Sequence, residues 1–125
     1  MKASLSNYRQ ATRKVRLVTN LVKGKSVEQA LATLTHLPKR AALPVRKLIL
    51  SAVANAKNAG VDTSTLAIKD FRVDKGFVFK RYMPRARGRA ALIRKESSHL
   101  TLELGPMIEK KKSARATAQK EATTA

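Results

Sequence analysis

The chain has 125 residues and 43% hydrophobic content, enough for one small domain with a modest core. Its 27 Lys and Arg against 8 Asp and Glu give a formal net charge of +19. Self-repulsion on that scale disfavours a compact chain until a phosphate-rich polyanion neutralises it. The absence of cysteine excludes a disulfide framework and a thiolate metal site, and no apolar run approaches the ~20 residues that cross a bilayer.

The basic residues are spread along the whole chain. Lys2, Arg9, Arg13, Lys14, Arg16, Lys23 and Lys25 all precede the first acid, Glu28. A surface charged on several sides fits engulfment by folded RNA better than one patch lying on a duplex. The first residues lack the apolar stretch of a secretory signal, so the expected compartment is the cytoplasm. Residues 1–25 share the basic, acid-free composition of an organellar import segment. They run through Gly24-Lys25-Ser26 directly into the next periodic segment, however, and read as part of the domain.

The spacing predicts a first helix over residues 13–23. Thr12 caps it, Val15, Val18, Leu21 and Val22 form its apolar stripe, and Gly24 closes it in the left-handed conformation. Arg13, Lys14, Arg16, Asn20 and Lys23 occupy its other face. A second helix is signalled by the capping-box pair Ser26 and Gln29, with Val27, Ala30, Leu31 and Leu34 on one stripe and Pro38 as its bound. The third and longest helix runs from the low forties to about Ala59. Val45, Leu48, Ile49, Ala52, Val53 and Ala56 form its stripe, and Gly60 is the stop. Pro44 is awkward there, because a helix-interior proline removes a hydrogen bond; the helix either begins near Leu43 or kinks.

Past Asp62, Thr63 and Ser64 the period changes. Leu66, Ile68, Phe71, Val73, Phe77, Val78 and Phe79 are strand-type residues with a phase slip between Ile68 and Phe71, the mark of a bulge. Leu100, Leu102 and Leu104 alternate with His99, Thr101 and Glu103 as a half-buried strand does. The simplest arrangement is a long hairpin with arms over 66–79 and 90–104. At about 3.3 Å per residue the arms reach roughly 45–50 Å, more than a three-helix body of this size covers. From residue 106 the composition shifts to that of a basic, disordered tail reaching residue 125.

Between the arms lies the most charged segment, KRYMPRARGRAALIRK, with seven cations and no acid in sixteen residues. Arg85, Arg87 and Arg89 alternate with Ala86 and Gly88, so the backbone can approach a partner while guanidinium forks engage phosphate oxygens. Tyr82 and Phe79 can stack on unpaired bases or simply pack on the ribbon.

Other motifs carry less. Gly24-Lys25-Ser26 resembles the end of a phosphate-binding loop, but Thr19 stands where that pattern requires glycine and a helix stands where it requires a strand. His36 and His99 lie in different elements and read as ordinary hydrogen-bonded residues. Asp70 and Asp74 share a strand face and more plausibly pair with Lys69 and Arg72 than hold a cation. No nucleophile, metal or cofactor site is expected, and an enzyme is not.

These residues are similar to a known family, the large-subunit ribosomal proteins L-twenty-two, most closely of the bacterial type. The resemblance runs from Arg13 to Leu104. It rests on Lys14-Val15-Arg16-Leu17-Val18, Gly24-Lys25, Ser51-Ala52-Val53-Ala54-Asn55-Ala56 and Val73-Asp74-Lys75-Gly76. It continues through Lys80-Arg81 and Pro84-Arg85-Ala86-Arg87-Gly88-Arg89-Ala90 to Ser98-His99-Leu100-Thr101. Ala11-Thr12 depart from the Ser-Pro of many members, Pro44 falls inside the family's long helix, and the tail is longer than in many bacterial members.

The resemblance implies an α+β fold over residues 1–105, with three helices packed on a small antiparallel sheet and a long protruding β-hairpin. It implies a structural constituent of the large ribosomal subunit that binds the 23S type of ribosomal RNA across several domains and supports assembly. Implied RNA-binding residues are Arg13, Lys14, Arg16, Lys23, Lys25, Lys75, Lys80, Arg81, Arg85, Arg87, Arg89, Arg94, Lys95 and His99. The implied tip lines the exit tunnel near where macrolides bind, and comprises Phe79, Lys80, Arg81, Tyr82, Met83, Pro84, Arg85, Ala86, Arg87, Gly88 and Arg89. Neighbouring large-subunit proteins and the nascent polypeptide are the other implied partners, with no membrane. The rival readings are a sequence-tolerant DNA-compacting protein and a phosphate-transfer enzyme; the second lacks acidic metal ligands.

Overall fold

The computed structural model describes residues 1–106, so the expected tail lies, from residue 107 onward, outside the described residues. Its first element is a strand, β1 (Lys2–Tyr8), which the sequence reading passes over. The signal is faint: Ala3 and Leu5 turn inward while Lys2, Ser4 and Ser6 face out, a pattern with little apolar content.

Three helices follow, α1 (Thr12–Val22), α2 (Val27–His36) and α3 (Ala42–Asn58). In α1 the buried stripe is Val15, Val18, Thr19 and Val22, whereas Leu21 is exposed, contrary to expectation. Thr19 can take the buried place because its hydroxyl donates to the Arg16 carbonyl (3.2 Å). Thr12 does not cap α1. It is the first helical residue and is buried, and Ala11 holds the cap position without a side-chain bond. Ser26 does cap α2, accepting from the Gln29 amide (3.4 Å). Gly24 and Gly60 take the expected left-handed φ of 79° and 71°. Pro44 is the third residue of α3, where a backbone N–H would have no intrahelical acceptor, so it disrupts nothing.

The hairpin is longer than expected. β2 (Leu66–Pro84) has 19 residues and β3 (Ala90–Pro106) has 17, arms of roughly 55–60 Å at about 3.3 Å per residue. Lys80–Pro84 stay paired with Ala90–Arg94, leaving only Arg85–Arg89 as the turn. Proline at the last position of β2 is tolerated because the ladder ends there. The turn closes with Arg85 N–H to Arg89 O (2.8 Å) around a short 3-10 segment, Ala86–Gly88.

All strands are antiparallel in the order β1-β3-β2, which puts the last strand in the middle. The slip predicted between Ile68 and Phe71 falls between Ile68 and Asp70, and a second one lies between Lys75 and Val78. The helices cover one face: α1 lies on β2, α3 on β1 and β3, and α2 on α3. Between the layers sit Val15, Val45, Ile49, Ile68, Leu100 and Leu102, all fully buried. Gly24-Lys25-Ser26 borders β2, with Gly24 N–H to Ile68 O and Ile68 N–H to Lys25 O both at 3.0 Å. The motif that resembled a phosphate loop therefore protects a sheet edge.

Candidate nucleic-acid interface

The residues expected to bind RNA divide into two groups. Near the body, several are engaged within the protein. Arg16 donates from Nε and a terminal nitrogen to the Val73 carbonyl (3.3 and 2.9 Å), tying α1 to β2. Lys23 pairs with Asp70 at 2.5 Å, Lys25 reaches the Thr33 hydroxyl at 3.5 Å, and Lys75 approaches Glu96 at 3.9 Å. Asp74 pairs with Arg72 as expected, while Asp70 takes Lys23 in place of Lys69.

His99 is half-buried, and its Nδ1 accepts the Asn7 N–H (3.2 Å). Asn7 itself bends the chain with a left-handed φ of 55°, next to a register shift between Leu5 and Tyr8. The segment leaving β1 is then fastened to β3, because the buried Ser98 hydroxyl donates to the Gln10 carbonyl (2.5 Å). Tyr8 donates to the Gln10 side chain (2.7 Å), and burial pushes its phenol above the usual range. These contacts fix Arg9, which the sequence reading did not select, so that its guanidinium lies 5.1 Å from the centre of the Phe79 ring.

Along the ribbon the charges meet few such partners, Arg81 donating to the adjacent Lys80 carbonyl (2.9 Å). Lys80, Arg81, Arg85, Arg87, Arg89, Arg94 and Lys95 are exposed, as are Arg13 and Lys14 on α1, and none pairs with a carboxylate among the described residues. Lys80 stands directly across from Arg94, and Lys95 across from Phe79. Like charges placed opposite one another destabilise a two-stranded ribbon. At the turn, Arg87 adopts a left-handed φ of 57°, which costs a side-chain-bearing residue about 1–2 kcal/mol. Of the predicted tip, Phe79 through Pro84 are strand residues and Arg85 through Arg89 form the turn, so the arginines radiate from a tight bend. Tyr82 (71% exposed) stands across from Leu92, which leaves it mostly unpacked.

A family model described as "Ribosomal protein L22p/L17e" matches residues 3–105. The chain belongs to this family. Curated relatives agree with the bacterial type. The large ribosomal subunit protein uL22 of Pelobacter propionicus is 50% identical over 103 residues, 82% of this chain and 93% of the relative. That of Herpetosiphon aurantiacus is 50% identical over 102 residues, covering 81% and 90%. The Hydrogenobaculum protein is 42% identical over 108 residues, covering 86% and 89%. The match to the L22p/L17e family spans the body and the whole ribbon, and the three-helix body on an antiparallel sheet is the fold the sequence resemblance implied.

Proposed function

We propose that this chain is a structural, non-enzymatic constituent of the large ribosomal subunit. It binds large-subunit ribosomal RNA with the ribbon and with the exposed face of α1, and contacts neighbouring subunit proteins through its body. Family membership supports the ribosomal setting, including residence in the cytoplasmic ribosome. The observation that carries RNA contact is the ribbon itself: Lys80 faces Arg94 on a strand pair exposed on both sides, and neither pairs with a carboxylate among the described residues, the nearby Glu96 being turned to Lys75. Phosphate oxygens between those cations turn a repulsive pair into two attractive ones, with counterion release as the main source of affinity.

Arg13, Lys14, Lys80, Arg81, Arg85, Arg87, Arg89, Arg94 and Lys95 are the primary RNA-binding residues in this proposal. Arg16, Lys23, Lys25, Lys75 and His99 already have partners within the protein and act mainly by holding the body to the ribbon, with their remaining exposed atoms secondary contacts. The end of the ribbon, Phe79 through Arg89, reaches far enough from the body to line the path of a nascent polypeptide through the subunit.

Sedimentation in high salt tests this. The tagged chain should remain with large subunits at about one copy each. The triple variant Arg85→Ala, Arg87→Ala, Arg89→Ala should wash off at lower salt, with a log-log salt slope for RNA binding reduced by about three. Its helical circular dichroism should be unchanged. Loss of the unmodified chain to the free fraction or to chromosomal DNA would refute the ribosomal reading.

A further inference from the structure

A hollow of about 360 Å³ lies at the root of the ribbon, lined by Asn7, Arg9, Phe77, Phe79 and Ser97. Three parts of the chain meet there: the bend after β1, the second bulge of β2, and β3. Phe77 is 64% exposed although it lies within a strand. Its ring is nonetheless oriented, set edge-on against Phe79 with centroids 4.7 Å apart and planes at 78°. Arg9 and Arg81 bring their guanidinium carbons to 5.1 and 6.0 Å from the Phe79 centroid. No carboxylate lines the hollow.

We infer that this hollow binds one unpaired nucleotide of RNA, with its base stacked on Phe77 and its phosphate held by Arg9. The inference rests on the RNA-binding reading above and adds a site to it. An exposed phenylalanine held by a second ring supplies a flat face that any base can stack on. The two guanidiniums supply the positive charge that the adjoining phosphates require. Asn7 also lines the hollow, and its carboxamide has a donor and an acceptor to offer the edge of a base. The built-in features are the Asn7 bend, anchored to His99, and the Ser97 hydroxyl, which donates to the Phe77 carbonyl (2.6 Å) and fixes the backbone beneath the ring.

Stacking and charge leave different signatures in a salt titration. The full chain would be titrated with a large-subunit ribosomal RNA transcript over a salt series, alongside Phe77→Leu, Phe77→Tyr and Arg9→Gln. Phe77→Leu should bind about five- to 150-fold more weakly with an unchanged salt slope, and Phe77→Tyr, which keeps the aromatic face, within about twofold of the unmodified chain. Arg9→Gln should lower the slope by about one. Ultraviolet crosslinking of assembled subunits should join Phe77 to a nucleotide.

Unchanged affinity in Phe77→Leu, or a crosslink from Phe77 to a neighbouring protein instead of RNA, overturns the site and leaves the ribosomal reading standing. Should Phe77→Leu disturb the ribbon in circular dichroism, an unchanged slope in Arg9→Gln overturns it independently. Failure of the unmodified chain to bind the transcript overturns both readings.

Discussion

Gly76 shows how one small residue sets the junction between body and ribbon. A Cβ at this position would lie 2.8 Å from the Ser97 hydroxyl oxygen and 2.9 Å from Nε2 of His99, closer than either contact allows. Both neighbours are held by their own hydrogen bonds, Ser97 to Phe77 and His99 from Asn7, so neither is free to retreat. Gly76→Ala should therefore destabilise the fold by about 1–3 kcal/mol, the usual cost of overpacking, read as a lower urea midpoint. At this scale the sequence was partly legible. Gly24 and Gly60 stood at helix ends and were predictable from that position alone. Gly76 stood inside a strand pattern, and nothing local in sequence reveals that two side chains more than twenty residues away will crowd it. Leu21 was misassigned for a related reason, because its place on the stripe went to Thr19, whose hydroxyl finds a carbonyl within the helix.

Elements were legible where their apolar periodicity was strong. The stripe of α3, the capping of α2 and the alternation of Leu100, Leu102 and Leu104 correspond to what the spacing predicted. β1 was missed because a strand with two inward residues, one of them alanine, resembles a polar loop until its partner is known. The extra length of the hairpin was hidden by composition: Lys80 to Pro84 pairs with β3, yet neither face of that segment meets a core, so no alternation marks it. Two short ion pairs clasp elements together, Lys23–Asp70 between the C-terminal end of α1 and β2, and Lys2–Glu103 (2.7 Å) between β1 and β3. The Lys23 ammonium holds the Asp70 carboxyl below its usual range, and the Lys2 ammonium does the same for Glu103. Each carboxyl thus releases its proton more readily when folded than when unfolded. The clasp is fully present above the ordinary carboxylate pKa, about pH 4, and fades as the pH falls through the lowered folded value. Urea midpoints measured from pH 7 to pH 3 should decline at the acid end, and less steeply in the double variant Asp70→Asn, Glu103→Gln. Both pairs are substantially exposed, so the difference in slope should be small.

For the molecule as a whole, the contrast between a cored body and a coreless ribbon sets a gradient of stability. Amides of β2 and β3 beside the helices should be the slowest to exchange with deuterium, and those from Lys80 to Arg94 much faster in the free protein, despite an unbroken ladder. Comparable protection throughout would mean that the ribbon has intrinsic order. Charge and length together made this division readable in the sequence, because a segment with seven cations and no acid has no means of building a core. The hollow around Phe77 was not readable, since it draws on three segments whose meeting depends on strand register. The β1-β3-β2 order also bears on biosynthesis. The central strand is the last of the three in the chain, and until it emerges neither β1 nor β2 has its principal strand partner. Folding during synthesis must then wait on a single late event, so a growing chain stalled between Pro84 and Ala90 carries two strands without their principal partner, a target for chaperones and proteases.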